Sequence, residues 1–259
     1  MKYLALCLLC KNEENYIQDW LDYHHYGIGV GSFLIYNNES TDHTLERITK
    51  WKNKHPECEV FTFNIPGCPV QKLAYERCIE AFKESYTWIG FIDTDEYIVT
   101  RNGILLEKVL KKYEGYSALC LHWLIFGANG HTHYSPKPDV ERFTMREDKV
   151  NPHIKSIVNP REVKRYLTPH KFTTKGLSVD ERRVPLGQHE STPEGGTAKI
   201  IWVNHYATRS RDECIKRRSS IRRADTGELR NALEFFNTHD HNDVQDLRAF
   251  SIWKGSVSR

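Results

Sequence analysis

The chain has 259 residues, 39% hydrophobic and 27% charged, with a formal net charge of +3. This is an ordinary globular composition, long enough for one large α/β domain or two small ones. The charge is too small to imply nucleic acid by itself, and no run approaches the ~18 apolar residues of a membrane span.

Residues 3–10 are an apolar β-run, broken by Lys11-Asn12-Glu13-Glu14-Asn15. Lys2 and the apolar Tyr3–Leu9 have the outline of a signal peptide. The run is short, ends in Cys-Lys-Asn-Glu-Glu and has no small-residue cleavage site, so it reads as the first strand. A helix follows over 14–26, with Tyr16, Ile17, Trp20, Leu21 and His24 on one face. Gly27, Gly29 and Gly31 mark its exit, Ser32–Tyr36 is a second strand, and 37–42 is a polar loop. Asp42 is placed to cap a helix over 43–54. Glu59–Asn64 is a third strand, Val70–Glu84 a helix and Trp88–Ile92 a fourth strand. This alternation predicts a parallel sheet with helices on both faces.

The pattern changes after residue 100. Ile104–Tyr113 reads as a helix, Ser117–Ile125 as a strand, and Phe126–His131 as a glycine-bearing loop. Residues 131–140 read as an exposed loop, with strand-like pieces following at 154–158, 163–167 and 170–174. Residues 175–198 show no period and read as irregular, with room to move. Lys199–Val203 is the last expected strand, ending in Asn204-His205-Tyr206, before helices over 211–224 and 228–237. The seven cysteines are scattered, and Cys7-Leu8-Leu9-Cys10 lies inside an apolar strand. Buried reduced thiols and a reducing compartment are the expectation.

Trp88-Ile89-Gly90-Phe91-Ile92 runs straight into Asp93-Thr94-Asp95-Glu96. A strand buried on both faces cannot keep unpaired carboxylates inside, so the acids emerge at its carboxyl end. In open α/β sheets ligands bind there. Asp93 and Asp95 share side-chain parity in an extended chain and can face one point. An oxygen-only, acid-rich site suits Mg²⁺ or Mn²⁺, with substrate phosphates completing the shell. The ordinary alternative is an acidic turn. The loops 11–15 and 37–42 lie beside this one in a parallel sheet, forming a polar cleft fit for a nucleotide. Neither G-x-G-x-x-G nor a P-loop pattern is present.

Lys11-Asn12-Glu13-Glu14, Asn37-Asn38-Glu39-Ser40-Thr41-Asp42-His43-Thr44 and Asp93-Thr94-Asp95-Glu96 resemble successive motifs of GT-A glycosyltransferases. The closer likeness is to the family 92 and family-2-like group. Trp20, Tyr23 and His24 resemble its Trp/Tyr-His helix. Later matches are Trp123 with Phe126-Gly127 and Gly130-His131, Glu141-Arg142-Phe143, Lys155-Ser156-Ile157, and Asn204-His205-Tyr206 followed by Ser210 and Glu213. The likeness runs from about residue 3 to 223, specific in order and spacing rather than in any one motif. Asn37 departs from it, standing where the family often has Asp, which weakens an expected contact to uridine or ribose.

The resemblance implies a single GT-A domain. Residues 1–100 would be its nucleotide-sugar half, 101–208 its acceptor side and 209–259 its C-terminal helices. It implies a nucleoside-diphosphate sugar donor, UDP-linked with galactose as the family-based guess, and transfer to a glycan hydroxyl with inversion. It implies a divalent metal, commonly Mn²⁺, held by Asp95, by Asp93 directly or through water, and by His205. His170 is the runner-up to His205, and a structural histidine is the ordinary alternative. Asn12, Glu13, Asn38 and Asp42 would line the nucleoside pocket, with helix capping competing for Glu13 and Asp42. Asp93 could reach the ribose, and Lys155 could pair with the diphosphate. Gly127 and Gly130 would let backbone pass close to a sugar. An inverting transfer needs a general base, for which Glu141 is the choice and Asp139 and Glu190 the alternatives.

Arg209, Arg211, Lys216, Arg217, Arg218, Arg222 and Arg223 form a C-terminal basic stretch. It reads as a solvated face or as a contact for anionic lipid headgroups under a lipid-linked acceptor. Nucleic acid is disfavoured because aromatics are not interleaved. The competing functions are a non-catalytic glycan-binding or scaffold domain retaining the fold, and a metal-dependent nucleotidyltransferase. The expected location is cytoplasmic, with peripheral contact at a membrane as the variant reading.

Overall fold

The structure is a computed structural model describing residues 1–187 and 195–257. Its first half alternates β1 (Lys2–Cys10), α1 (Ile17–Asp22), β2 (Ser32–Asn37), α2 (Thr44–Lys54), β3 (Glu59–Asn64), α3 (Gln71–Phe82) and β4 (Tyr86–Phe91). The four strands pair in parallel in the order β3-β2-β1-β4. The period of two along β1 divides the core. Leu4, Leu6 and Leu8 pack with Trp20 and Ile48 on one face, while Ala5, Cys7 and Leu9 pack with Ala74, Tyr75 and Cys78 on the other. Helices therefore cover both faces, as the alternation predicts. The first helix is shorter than expected and passes into a wider π turn over Tyr23–Gly27.

The second half contains β5 (Glu96–Thr100), α4 (Leu106–Leu110), β6 (Ala118–Ile125), α5 (Asp139–Arg142), β7 (Met145–Arg146), β8 (Asn151–Val158), β9 (Val163–Thr168) and β10 (Lys171–Thr174). It ends with β11 (Ser178–Val179), β12 (Ile201–His205), α6 (Arg211–Ser220), α7 (Ala232–His239), β13 (Val244–Gln245) and α8 (Arg248–Val257). The main sheet continues from β4 through β8, β6 and β12 to β5. This half is mixed: β8 is antiparallel to β4 and β6, and β5 is antiparallel to β12.

Several elements depart from the sequence expectation. The chain enters β5 directly after the acids, and all five of its residues are buried. Asp93 and Asp95 therefore sit on a tight turn between two strands, not on an extended run. Helix α8 was not expected, and neither were the two-residue strands β7 and β13, which pair with each other. Within 175–198, β11 joins the main sheet beside β6. Among the described residues no helix is long and apolar enough to cross a membrane.

Candidate active site

The acidic turn is pinned from behind. The indole Nε1 of Trp20 donates to the carbonyls of Asp93 (3.1 Å) and Glu96 (2.9 Å). His24 accepts the Ile98 amide at Nε2 (3.2 Å), and its Nδ1 lies 2.8 Å from the Trp20 carbonyl, which fixes the tautomer. The Trp-His helix thus holds the junction of β4 and β5. From the far side, the Tyr206 amide donates to the Asp95 carbonyl (2.8 Å) and ties the turn to the end of β12.

Asp95 and His205 face each other there, with His205 Nε2 3.9 Å from Asp95 Oδ1. Burial works against the Asp95 charge, but Arg217, His205, Arg209 and Arg218 outweigh it and hold the carboxyl well below its usual range. Burial pushes the His205 imidazole down to about 3 despite Asp95. Its buried Nδ1 has no hydrogen-bond partner. An ionised carboxylate and a neutral imidazole are the forms that bind a cation. Two ligands about 2.1 Å from one ion lie about 3.0–4.2 Å apart, so the spacing fits.

Asp93 does not complete a three-ligand set. Its Oδ2 accepts from Lys155 Nζ (2.8 Å), and its Oδ1 lies near Tyr75 and Gln71. Lys155 also meets Glu96 Oε2 at 3.3 Å and is 1% exposed. Burial opposes its charge, but Asp93 and Glu96 raise its pKa further. Lys155 is therefore absent from the cavity wall and spent on two carboxylates of the chain. Burial raises the Glu96 carboxyl to about 8 despite Lys155, with Asp93 and Asp95 adding to the rise. Among the described residues, the only trio of ligand atoms mutually within 4.8 Å is His25, Glu57 and Cys58. There the sulfur lies 3.3 Å from Nδ1 and 3.9 Å from Nε2, beside the ring rather than in line with the Nε2 lone pair.

The loops after β1 and β2 are laced together. Asn12 Oδ1 accepts the Thr41 amide (2.8 Å), and Asp42 accepts from the Glu14 amide and from Thr44. Asn38 donates to the Ile65 and Gly67 carbonyls. Asn12, Asn38 and Asp42 thus shape the cleft while holding its rim. Glu13 is buried beside Arg217 (2.8 Å) and Arg209 (3.4 Å). Burial still raises its pKa against the pull of both arginines. A cavity of about 220 Å³ joins Glu13, Asn38, Asp93, Asp95, His170 and His205. A second, of about 510 Å³, continues past Asn12, Asp42 and Tyr16 under α6.

Among the described residues, the other expected ones lie outside both cavities. Glu141 points outward, with its carboxylate 2.6 Å from Lys137 Nζ. Asp139 is buried between Arg142 and Arg209, each at 2.8 Å. Glu190 lies outside the described residues. Gly127 leaves room for this chain's own backbone, since a Cβ there would sit 2.3 Å from the His241 carbonyl oxygen. Gly130 has φ +76° and makes a turn with open space around it.

Residues 209–223 are not one basic face. Arg209 adopts φ +50°, is 4% exposed, and binds Asp139, Glu13 and the Thr94 carbonyl beneath the Tyr16 ring. Arg217, Arg218, Arg222 and Arg223 line the smaller cavity, Arg222 while remaining exposed, and Arg211 and Lys216 are exposed outside it. No periodicity signalled Arg209, because its partners come from three distant segments of the chain.

Parallel strands whose carboxyl end closes in an acidic turn, opposed by a histidine from a later strand, define a GT-A glycosyltransferase domain. The chain belongs to glycosyltransferase family 92, whose family model matches residues 2–192. A family 92 protein of Oryza sativa subsp. japonica is 28% identical over 162 residues, covering 61% of this chain and 27% of that protein. One of Arabidopsis thaliana is 28% identical over 94 residues, covering 36% of this chain and 16% of that protein. The matches thus span at most about a quarter of these relatives' own length. Among solved structures, S. aureus TarS 1-349 in complex with UDP gives a TM-score of 0.42 at 16% identity, covering 62% of this chain and 47% of that one. The mannosyltransferase PcManGT from Pyrobaculum calidifontis, in complex with GDP-Man and Mn²⁺, gives 0.38 at 16%, covering 46% and 34%. Likenesses this weak say nothing of this chain's donor or metal.

Proposed function

We propose that this chain transfers a sugar from a nucleoside-diphosphate donor to a hydroxyl of a glycan or lipid-linked glycan, assisted by a divalent cation at Asp95 and His205. The observation that carries the reading is the 3.9 Å pairing of an ionised Asp95 with a neutral His205 at the carboxyl end of the parallel strands. Mn²⁺ or Mg²⁺ held there supplies positive charge against the departing diphosphate. Asp93, kept in place by Lys155, orients the ribose or a bound water. Asn12, Glu13, Asn38 and Asp42 frame the nucleoside end. A UDP-linked donor, galactose as the sugar, and inversion at the anomeric carbon complete the proposal.

Titration calorimetry of UDP- and GDP-sugars with Mn²⁺ and with EDTA tests it, on wild type and Asp95→Ala. The expected result is metal-dependent binding of one nucleotide class, lost in the variant. A folded wild type that binds no nucleotide overturns the donor site.

A further inference from the structure

The cavity that holds Asp93, Asp95 and His205 is lined by basic side chains as well. Six basic side chains and four carboxylates line it, an excess of two positive charges. Arg217 is matched by Glu13 and Arg223 by Asp225, each at 2.8 Å. Among the described residues, Arg218 and Arg230 have no carboxylate partner of their own. The Arg218 Nε is buried without a hydrogen-bond partner, although its NH2 donates to the Ala207 carbonyl (2.8 Å).

These two like charges share one support. The Arg218 guanidinium lies 3.4 Å from the centroid of Phe235, and that of Arg230 lies 5.0 Å from it. The His239 ring stacks on the same phenyl at 3.9 Å and 10°. Burial, then the charge of Arg230, push Arg218 down to about 10. Burial and Arg223 likewise lower Arg230. Asp95 draws on both and Asp225 on Arg230, yet burial and like charge outweigh that pull. Two half-buried cations on one phenyl with no anion in contact repel each other, and a dianion touching both relieves that cost.

We propose that Arg218 and Arg230 form a clamp for the diphosphate of the donor, held in register by Phe235. This rests on the nucleoside-diphosphate reading of the cleft. Guanidinium forks match phosphate oxygens in a bidentate way, and a diphosphate diester carries two negative charges. The bond between the anomeric carbon and the diphosphate oxygen breaks, and its electron pair stays on that oxygen. The acceptor oxygen forms the new bond to the anomeric carbon and releases its proton to a base or to solvent. The clamp meets the charge left on the diphosphate. Lys155, the expected diphosphate partner, is already spent behind the wall.

Calorimetry with UDP, GDP, their nucleosides and inorganic pyrophosphate, in Mg²⁺, tests the clamp. Arg218→Gln and Arg230→Gln should each weaken nucleoside diphosphate and pyrophosphate roughly ten- to a hundredfold, with nucleoside affinity unchanged. Arg218→Lys should recover part of the loss. Phe235→Leu, which touches no ligand, should weaken the phosphorylated ligands alone, and the exposed Arg211→Gln should change nothing. Unchanged diphosphate affinity in both glutamine variants overturns the clamp and leaves the donor reading standing. Equal loss of nucleoside and diphosphate also overturns it, because the pocket itself has then changed. A wild type that binds pyrophosphate through Arg218 but no nucleotide keeps the clamp and sinks the donor reading. A wild type that binds neither overturns both.

Discussion

Lys155 places its ammonium 2.8 Å from the Asp93 carboxylate and 3.3 Å from that of Glu96, with almost no exposure to water. It lies behind the acidic turn as its counter-charge. Removing it leaves the Asp93 and Glu96 carboxylates without their shared ammonium.

Lys155→Met is therefore expected to destabilise the fold by about 3 kcal/mol, the range for breaking a buried pair from one side. Urea denaturation checks this. A loss below about 1 kcal/mol would show that water, not Lys155, neutralises the turn.

Trp20→Phe keeps an aromatic ring but removes the single N–H that serves two carbonyls. The expected cost is about 2–3 kcal/mol, from unpaired buried acceptors and lost volume. Amide hydrogen exchange should quicken first in β5, whose Ile98 amide depends on His24. Uniform quickening across all strands would contradict a local role.

The His205 imidazole is pushed down to about 3, below its ordinary value of 6.5. A depressed histidine pKa means the neutral, cation-binding form persists as pH falls through the usual histidine range. Asp95, held low, stays ionised over the same window. Mn²⁺-dependent donor binding should then hold within about twofold between roughly pH 5 and 7, where an ordinary histidine ligand would lose about 25-fold. A steep fall below about pH 6.5, absent in His205→Asn, would show that the imidazole titrates normally.

Gly127→Ala forces a methyl against the His241 carbonyl oxygen and the Asn242 side chain at 2.3 and 2.6 Å. About 2–3 kcal/mol of destabilisation is expected from this overpacking. Gly130→Ala meets open space, and only its φ of +76° resists, for about 1 kcal/mol. Thermal melts of the two variants rank them, and the reverse order would contradict the packing assigned to Gly127.

Missed elements had signals of uneven strength. Tyr97-Ile98-Val99 is apolar and β-branched, but the acids before it read as the end of a strand, so β5 went unseen. In α8, Ala249, Ile252 and Trp253 recur at helical spacing and could have been found. Arg209 carried no such mark. Its left-handed backbone and three separate partners exist only once the loops are assembled.

Sequence alone determined the strand–helix alternation and the position of the acids at the end of a buried strand. Those follow from periodicity and from the cost of burying charge, which act over neighbouring residues. Tertiary structure alone decided which charges remain open to a ligand. Lys155 reaches Asp93 across 62 positions of chain, and Arg209 reaches Glu13 across 196. Coulomb attraction depends on distance in space, so no local pattern says that Lys155 is spent while Arg218 and Arg230 are not.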